Sequence, residues 1–454
     1  VKRPLSGIEK LVWTMSRRMP INFVVAARLR GPFSIDDLRR AARALRCRYP
    51  GLAARIVRDA DGKLTFCDDE AVDFPICERP ADADDAWVRE AQRQIIEPFD
   101  AETGPLCRFS VVRGPDYVDL LAVCDHIAAD GLSSVQLLRE VCTQIALPET
   151  PVEPLPLPPS VLELLPPELL AKKEVRQARR FAPAVLRIVD AYQTLKRMLG
   201  LRRRSNPDLF PDRPTADTLR QYMNDQPLWC RSWSLDADET QRLIDRCRAE
   251  RTTVHAAICT AFIRAYVAAE YCGPARKRLV ESPLNLRVHF RAGATYGAGL
   301  YNALAYSQVD GKAEIDFWNS ARDGRKRLEA ALSDVKLFSG MAVADDLLSV
   351  CSDQKMRELA GDILSQGSRH ELSISNLGRV EMPQQIGPLQ IEAVRGPLVV
   401  GQGTVPVVGV ATHAGRMHFC ATSLGPGHDE SQFARVIDRT MQELQAATAA
   451  PIRS

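Results

Sequence analysis

The sequence predicts an α/β protein of two lobes, each built on a mixed sheet with helices. Three observations lead there. The chain has 454 residues, well beyond the roughly 250–300 at which a single hydrophobic core stops growing. Strand-like and helix-like segments are mixed in both halves, a layered α/β pattern rather than that of a bundle. Between the halves, Pro148, Pro151, Pro154, Pro156, Pro158, Pro159, Pro166 and Pro167 crowd together. Such a run is neither a central strand nor a regular helix, so it reads as a semi-rigid connector. The expected division is a first lobe over residues 1–165, a basic helical connector over 166–215 and a second lobe over 216–454.

In the first half, residues 22–29 are rich in Val and Ala and read as a strand. Ser34 then stands as an N-cap, with Leu38, Ala41, Ala42, Leu45 and Tyr49 at helical spacing and Pro50-Gly51 as the stop. Asp61-Gly62 is a hairpin turn between short strands at 55–57 and 63–66. Residues 118–124 form a strand-length apolar run, expected to be buried on both faces. A helix over about 133–146 follows, its stripe made by Val135, Leu138, Val141, Cys142 and Ile145.

From Lys172 to Arg204 eleven Lys or Arg residues face two acidic ones, Glu174 and Asp190, with aliphatics interleaved. This reads as an amphipathic basic helix pair: a solvated face, or a docking surface for an acidic carrier protein or an anionic membrane. In the second half, residues 236–239 give a cap-like helix start. The stretch 254–269 is apolar nearly all round and so is a fully buried helix. Strands are expected over 371–376, 407–412 and 417–423, with a turn at 413–416, and a last amphipathic helix carries Phe433, Val436, Ile437, Met441 and Leu444.

Composition excludes several classes. The chain is 45% hydrophobic and 26% charged, with a net charge of +3, so no global field recruits nucleic acid. No apolar run approaches the ~18 residues of a bilayer span. The start, Val1 to Gly7, has no signal-peptide stretch, and its lack of Met implies a trimmed end. The twelve cysteines include no Cys-x-x-Cys pair, which gives no zinc signal and implies free thiols in a reducing, cytoplasmic compartment.

Chemistry is carried by Asp125-His126-Ile127-Ala128-Ala129-Asp130-Gly131. A buried strand delivers a histidine at its end, and an acid and a glycine precede the next helix. A neutral imidazole takes a proton from a hydroxyl, amine or thiol near pH 7. The carboxylate is suited to fixing the loop through a charge-assisted bond, and Gly131 to an unusual backbone turn. A satisfied structural histidine fits the spacing as well.

This segment resembles the His-His-x-x-x-Asp-Gly motif of chloramphenicol acetyltransferase-like acyltransferases, the superfamily of nonribosomal peptide condensation domains and polyketide-associated acyltransferases. Further landmarks resemble that family in order: residues 38–52 its first helix, Pro98-Phe99-Asp100 and Gly104-Pro105-Leu106 the approach to the active-site strand, and residues 252–256 the buried second-lobe helix. Pro283-Leu284-Asn285-Leu286-Arg287 and Ser373-Ile374-Ser375-Asn376-Leu377-Gly378 resemble two second-lobe strands.

The resemblance implies a V-shaped pair of lobes with a tunnel at their junction. It makes His126 the base, and Asp130 a structural acid paired with Arg287. The acyl donor it implies is a thioester on coenzyme A or on the phosphopantetheine arm of an acyl or peptidyl carrier protein. The acceptor is a small molecule with a hydroxyl or amine, in natural-product or lipid biosynthesis. No permanently bound cofactor or metal is implied. Ser375 and Asn376 are candidates for the tunnel wall or the oxyanion, though Asn376 and Gly378 equally serve a turn. Tyr301 and Asn302 are further wall candidates. A chain that begins and ends on this fold implies a discrete, monomeric transferase.

One departure stands out: Asp125 replaces the first motif histidine. By strand alternation its carboxylate faces away from the imidazole. A catalytically silent module that recruits a carrier protein or partner enzyme is therefore an alternative. Cys124, two residues before His126, offers a covalent acyl-enzyme route, against its reading as a small core residue. The remaining histidines lack a catalytic context, and His413 and His428, beside turn residues, are expected to be exposed.

Overall fold

The computed structural model describes residues 2–68, 72–180, 228–269, 277–332, 334–365, 371–401, 405–424 and 430–449. His370, His428 and the part of the basic connector beyond residue 180 lie outside these.

The chain opens with β1 (Lys2–Pro4), α1 (Gly7–Ser16) and β2 (Asn22–Arg30). Ser6 caps α1 in a reciprocal box with Glu9, which satisfies two of the orphan donors at that end. Next come α2 (Ile35–Arg46), α3 (Pro50–Ala53), the hairpin β3 (Arg55–Arg58) and β4 (Leu64–Cys67), then β5 (Ile76–Pro80), α4 (Ala86–Ile96), β6 (Cys107–Arg113) and β7 (Val118–Asp125). The Ser34 hydroxyl accepts from the Asp37 N–H at 3.0 Å, so the cap read from sequence is made. Every residue of β7 is buried, and each Leu or Val so removed from water contributes roughly 1.5–3 kcal/mol.

After β7 follow α5 (Gly131–Ala146) and two short turns, α6 (Val161–Leu164) and α7 (Pro167–Leu170), in the proline-rich connector. That connector does not hang free. Val161, Leu164 and Leu165 are buried in a cluster with Leu286, Tyr301 and Phe338, so it straps the two halves together.

The second half runs β8 (Leu228–Leu235), α8 (Ala237–Ala249), α9 (Val254–Ala268), β9 (Lys277–Asn285) and β10 (Asn302–Asp310). It continues with α10 (Phe317–Ala331), α11 (Asp334–Ser349), α12 (Asp353–Ser365) and β11 (Leu372–Arg379). The last elements are β12 (Gln385–Ile386), β13 (Leu389–Val399), β14 (Val407–His413), β15 (Arg416–Leu424) and α13 (Glu430–Ala449). The apolar α9 lies in a core with Phe419, Phe433 and Val436, as its all-round hydrophobicity requires.

Two six-stranded mixed sheets result, ordered β12-β13-β2-β7-β6-β5 and β10-β9-β11-β14-β15-β8, beside a small β1-β4-β3 sheet. The division of the chain thus differs from a cut at 216. Strand β13 leaves the second half and pairs antiparallel with β2, Val394 opposite Ala27.

On its way β13 crosses the face of the second sheet. A Cβ at Gly409 would collide with the Pro397 carbonyl oxygen, so only glycine permits that approach. The Thr422 hydroxyl donates to the Val399 carbonyl at the same crossing. His413, expected to be exposed beside its turn, is buried at the end of β14. The turn itself is made by Ala414 and Gly415, both at positive φ, and the histidine one residue earlier still belongs to the ladder.

Candidate active site

Strand β7 ends at Asp125 and helix α5 begins at Gly131, so the intervening loop displays His126. The imidazole Nδ1 is 2.9 Å from the Ala129 carbonyl oxygen. A carbonyl can only accept, so Nδ1 carries a proton and, in the neutral ring, Nε2 holds the lone pair. Among the described residues nothing bonds to Nε2. The Phe23 ring, 5.1 Å away between centroids, packs against the imidazole and limits its rotation.

Asp125 is buried, and its carboxylate turns from the ring. It accepts from the Ile127 N–H at 3.0 Å. Burial raises its pKa to about 6, against the lowering effects of the Ile127 N–H, Arg108 and Ser16. It therefore shapes the loop without touching the imidazole.

Asp130 is the N-cap of α5, accepting from the Ser133 N–H at 2.9 Å. Arg287, just past β9, donates to both its carboxylate oxygens at 2.7 and 2.9 Å. The Tyr301 N–H adds a third donor at 3.1 Å. Burial alone would raise the Asp130 pKa, but the Arg287 guanidinium and these hydrogen bonds hold it below the ordinary carboxylate range. Sequence reasoning missed Ser133, whose hydroxyl takes an Arg287 N–H at 2.7 Å and lies 3.2 Å from both the N–H and the carbonyl of Gly299. Its place at the third residue of a helix capped by Asp130 is the signal that could have found it. The cluster ties the His126 loop to the second half of the chain.

Gly131 adopts no left-handed backbone, contrary to the turn expected of it. Its use is clearance: a Cβ there would come 2.8 Å from Leu377 Cδ2. Leu377 extends from β11, which sets the far wall. Ser375 is paired with Gly409. Paired residues project to one face, and the Gly409 face is the one that meets β13 of the first sheet, so Ser375 projects toward the first lobe. Asn376 projects the other way, and its Oδ1 accepts from the Gly378 N–H at 2.8 Å in a turn with Gly378 at φ 68°. On the Ser375 face, Glu281, also unforeseen, accepts from the Ser373 and Tyr306 hydroxyls, each at 2.9 Å.

Tyr301 supports more than it lines. It is fully buried, its ring packed edge-on against Phe290 and Tyr296, with the Arg287 guanidinium 4.9 Å from its centroid. Asn302 begins β10 opposite Asn285 and is partly buried. Cys124 is fully buried, 3.7 Å from Cys107 Sγ and 3.4 Å from Ser134 Oγ, with no bond to His126. No group of His, Cys, Asp and Glu among the described residues could hold a metal ion. No helix among them is long and apolar enough to cross a membrane.

Residues 11–158 match the family model of the Condensation domain. A linear gramicidin synthase from Brevibacillus parabrevis is 30% identical over 150 residues, which is 30% of this chain and 3% of that protein. The chain spans 2–3% of the length of the curated relatives it matches. Among solved structures, the TRI3 trichothecene 15-O-acetyltransferase from Fusarium sporotrichioides superposes with a TM-score of 0.69 at 11% identity, over 98% of this chain and 96% of that one. The first condensation domain of the calcium-dependent antibiotic synthetase gives 0.68 at 14% identity, over 100% and 98%. Residues 11–158 thus match the Condensation-domain model, and the chain as a whole shares the mixed α/β fold of these two solved structures.

Proposed function

We propose that the protein transfers an acyl group from a thioester to a hydroxyl or amine, with His126 as general base. One observation carries this reading: Nδ1 donates to the Ala129 carbonyl, so in the neutral ring Nε2 is the acceptor, with no partner among the described residues, just past the end of β7. An acceptor O–H or N–H gives its proton to Nε2 as its heteroatom attacks the thioester carbonyl. The tetrahedral intermediate then collapses, the C–S bond breaks, and the imidazolium returns the proton to the departing thiolate. A hydroxyl such as that of Ser375 is suited to the oxyanion, which needs donors at about 2.7–3.1 Å. The donor is a thioester of coenzyme A or of a carrier protein's phosphopantetheine arm, a proposal supported by the match to condensation domains.

Intact-mass analysis of the chain with acyl-CoA and acyl-carrier thioesters, each offered hydroxyl and amine acceptors, tests the reading. Acylated acceptor is expected. Retained binding of an acyl-carrier without turnover of any thioester would instead favour the recruitment module, to which the Asp125 replacement points.

A further inference from the structure

Strand β13 divides the space between the sheets. On one side lie β9, β11 and His126. On the other, between α4, β13, β15 and β8, a cleft of about 880 Å³ opens that His126, Asp130 and Ser375 do not line. Its size is that of a small-molecule site, for which roughly 300–1,000 Å³ is usual.

The charges in the cleft are unevenly committed. Asp84 is paired with Arg28, Asp85 with Arg89, Glu392 with Arg30, and Glu430 with Arg231. Among its carboxylates only Asp438 has no ion pair among the described residues. Arg416, by contrast, has a single 3.4 Å bond to the Ser234 hydroxyl and no carboxylate. Arg395 has one 3.3 Å contact with Asp119, a carboxylate already held at both oxygens by Arg28. His418 lines the same cleft, 7% exposed, its Nε2 with no hydrogen-bond partner among the described residues. Burial, then Arg395 and Arg416, pull the His418 pKa down to about 4, so the ring is neutral at pH 7. Val88, clustered with Cys420 on the His418 face of β15, lends an apolar contact.

A buried polar atom left without a partner is unfavourable, and two arginines in the same cleft favour an anion. We propose that this cleft is a second binding site, for a small organic carboxylate. Its anion sits among Arg395, Arg416 and His418 Nε2.

Calorimetric titration of the full chain with 2-naphthoate and the neutral 2-naphthamide tests this. The expected result is one naphthoate per chain, with the amide and the Arg416→Gln variant each weakened roughly ten-fold or more, the scale of a lost charge-assisted bond. Arg416 is exposed and has no ion pair among the described residues, so Arg416→Gln should melt like the wild type, which the same samples check. Asp438→Asn should bind as well as or better than the wild type, and His126→Ala should bind unchanged. Absence of naphthoate binding, equal binding of acid and amide, or full affinity in Arg416→Gln would overturn the proposal. So would loss of binding in His126→Ala, which would place the anion in the reaction site instead.

Discussion

At His126 the proposed chemistry rests on a backbone carbonyl, not on a carboxylate, as the partner of Nδ1. Replacing the ring by Ala should remove the proposed base and lower acyl transfer by about 10²–10⁴-fold, the usual worth of a positioned general base, with little change in melting. Asp125 is a separate matter of stability. Its folded pKa, raised to about 6 by burial, lies above an unfolded value near 3.9. The folded state therefore binds more protons between those values, and the stability present below about pH 4 is lost as pH rises through 6. The loss is on the order of 3 kcal/mol. Asp125→Asn keeps an acceptor for the Ile127 N–H. Its melting temperature should be flatter than the wild type's from pH 4 to 7 and higher at pH 8. Identical pH profiles would contradict this account of Asp125.

At the scale of elements, two contacts hold the halves in place. The Asp130–Arg287 bridge has side-chain exposures of 6% and 14%, so removing one partner leaves a buried charge and costs about 3–5 kcal/mol. Arg287→Ala should show that loss in urea unfolding. Arg287→Lys should recover only part of it, since an ammonium cannot make the two-pronged contact. The β13 crossing depends on Gly409. Gly409→Ala sets a Cβ against a backbone oxygen that cannot swing away and should cost about 3 kcal/mol or more. Gly131→Ala meets only the tip of the Leu377 side chain and should cost about 1 kcal/mol. Equal costs for the two glycines would contradict this account of the crossing.

For the whole molecule, what was legible followed from local rules. The β2 and β7 strands, the Ser34 cap, the Asp61-Gly62 turn and the buried α9 each have a periodicity or a cap visible within ten to sixteen residues. The Asp130–Arg287 pair, 157 positions apart, was legible only through the family motifs. The crossover of β13 was not legible, because alternation shows that a strand exists and not which sheet receives it. Its partner β2 lies about 360 positions away and no local rule selects it. His413 was misplaced for a related reason: its neighbours form a turn, but a ladder bond with Arg416 still holds it inside the sheet. The cleft behind β13 was equally invisible, since α4, β8, β13 and β15 meet there only once the chain has crossed between its sheets. That this fold carries out acyl transfer with His126 as base is tested most directly by single-turnover kinetics. Acceptor-dependent loss of a carrier- or coenzyme A-bound thioester would be followed in wild type and His126→Ala of equal melting temperature. Transfer is expected in the wild type, with a fall of about a hundred-fold or more in the variant. Equal rates in the two proteins would rule His126 out as the base.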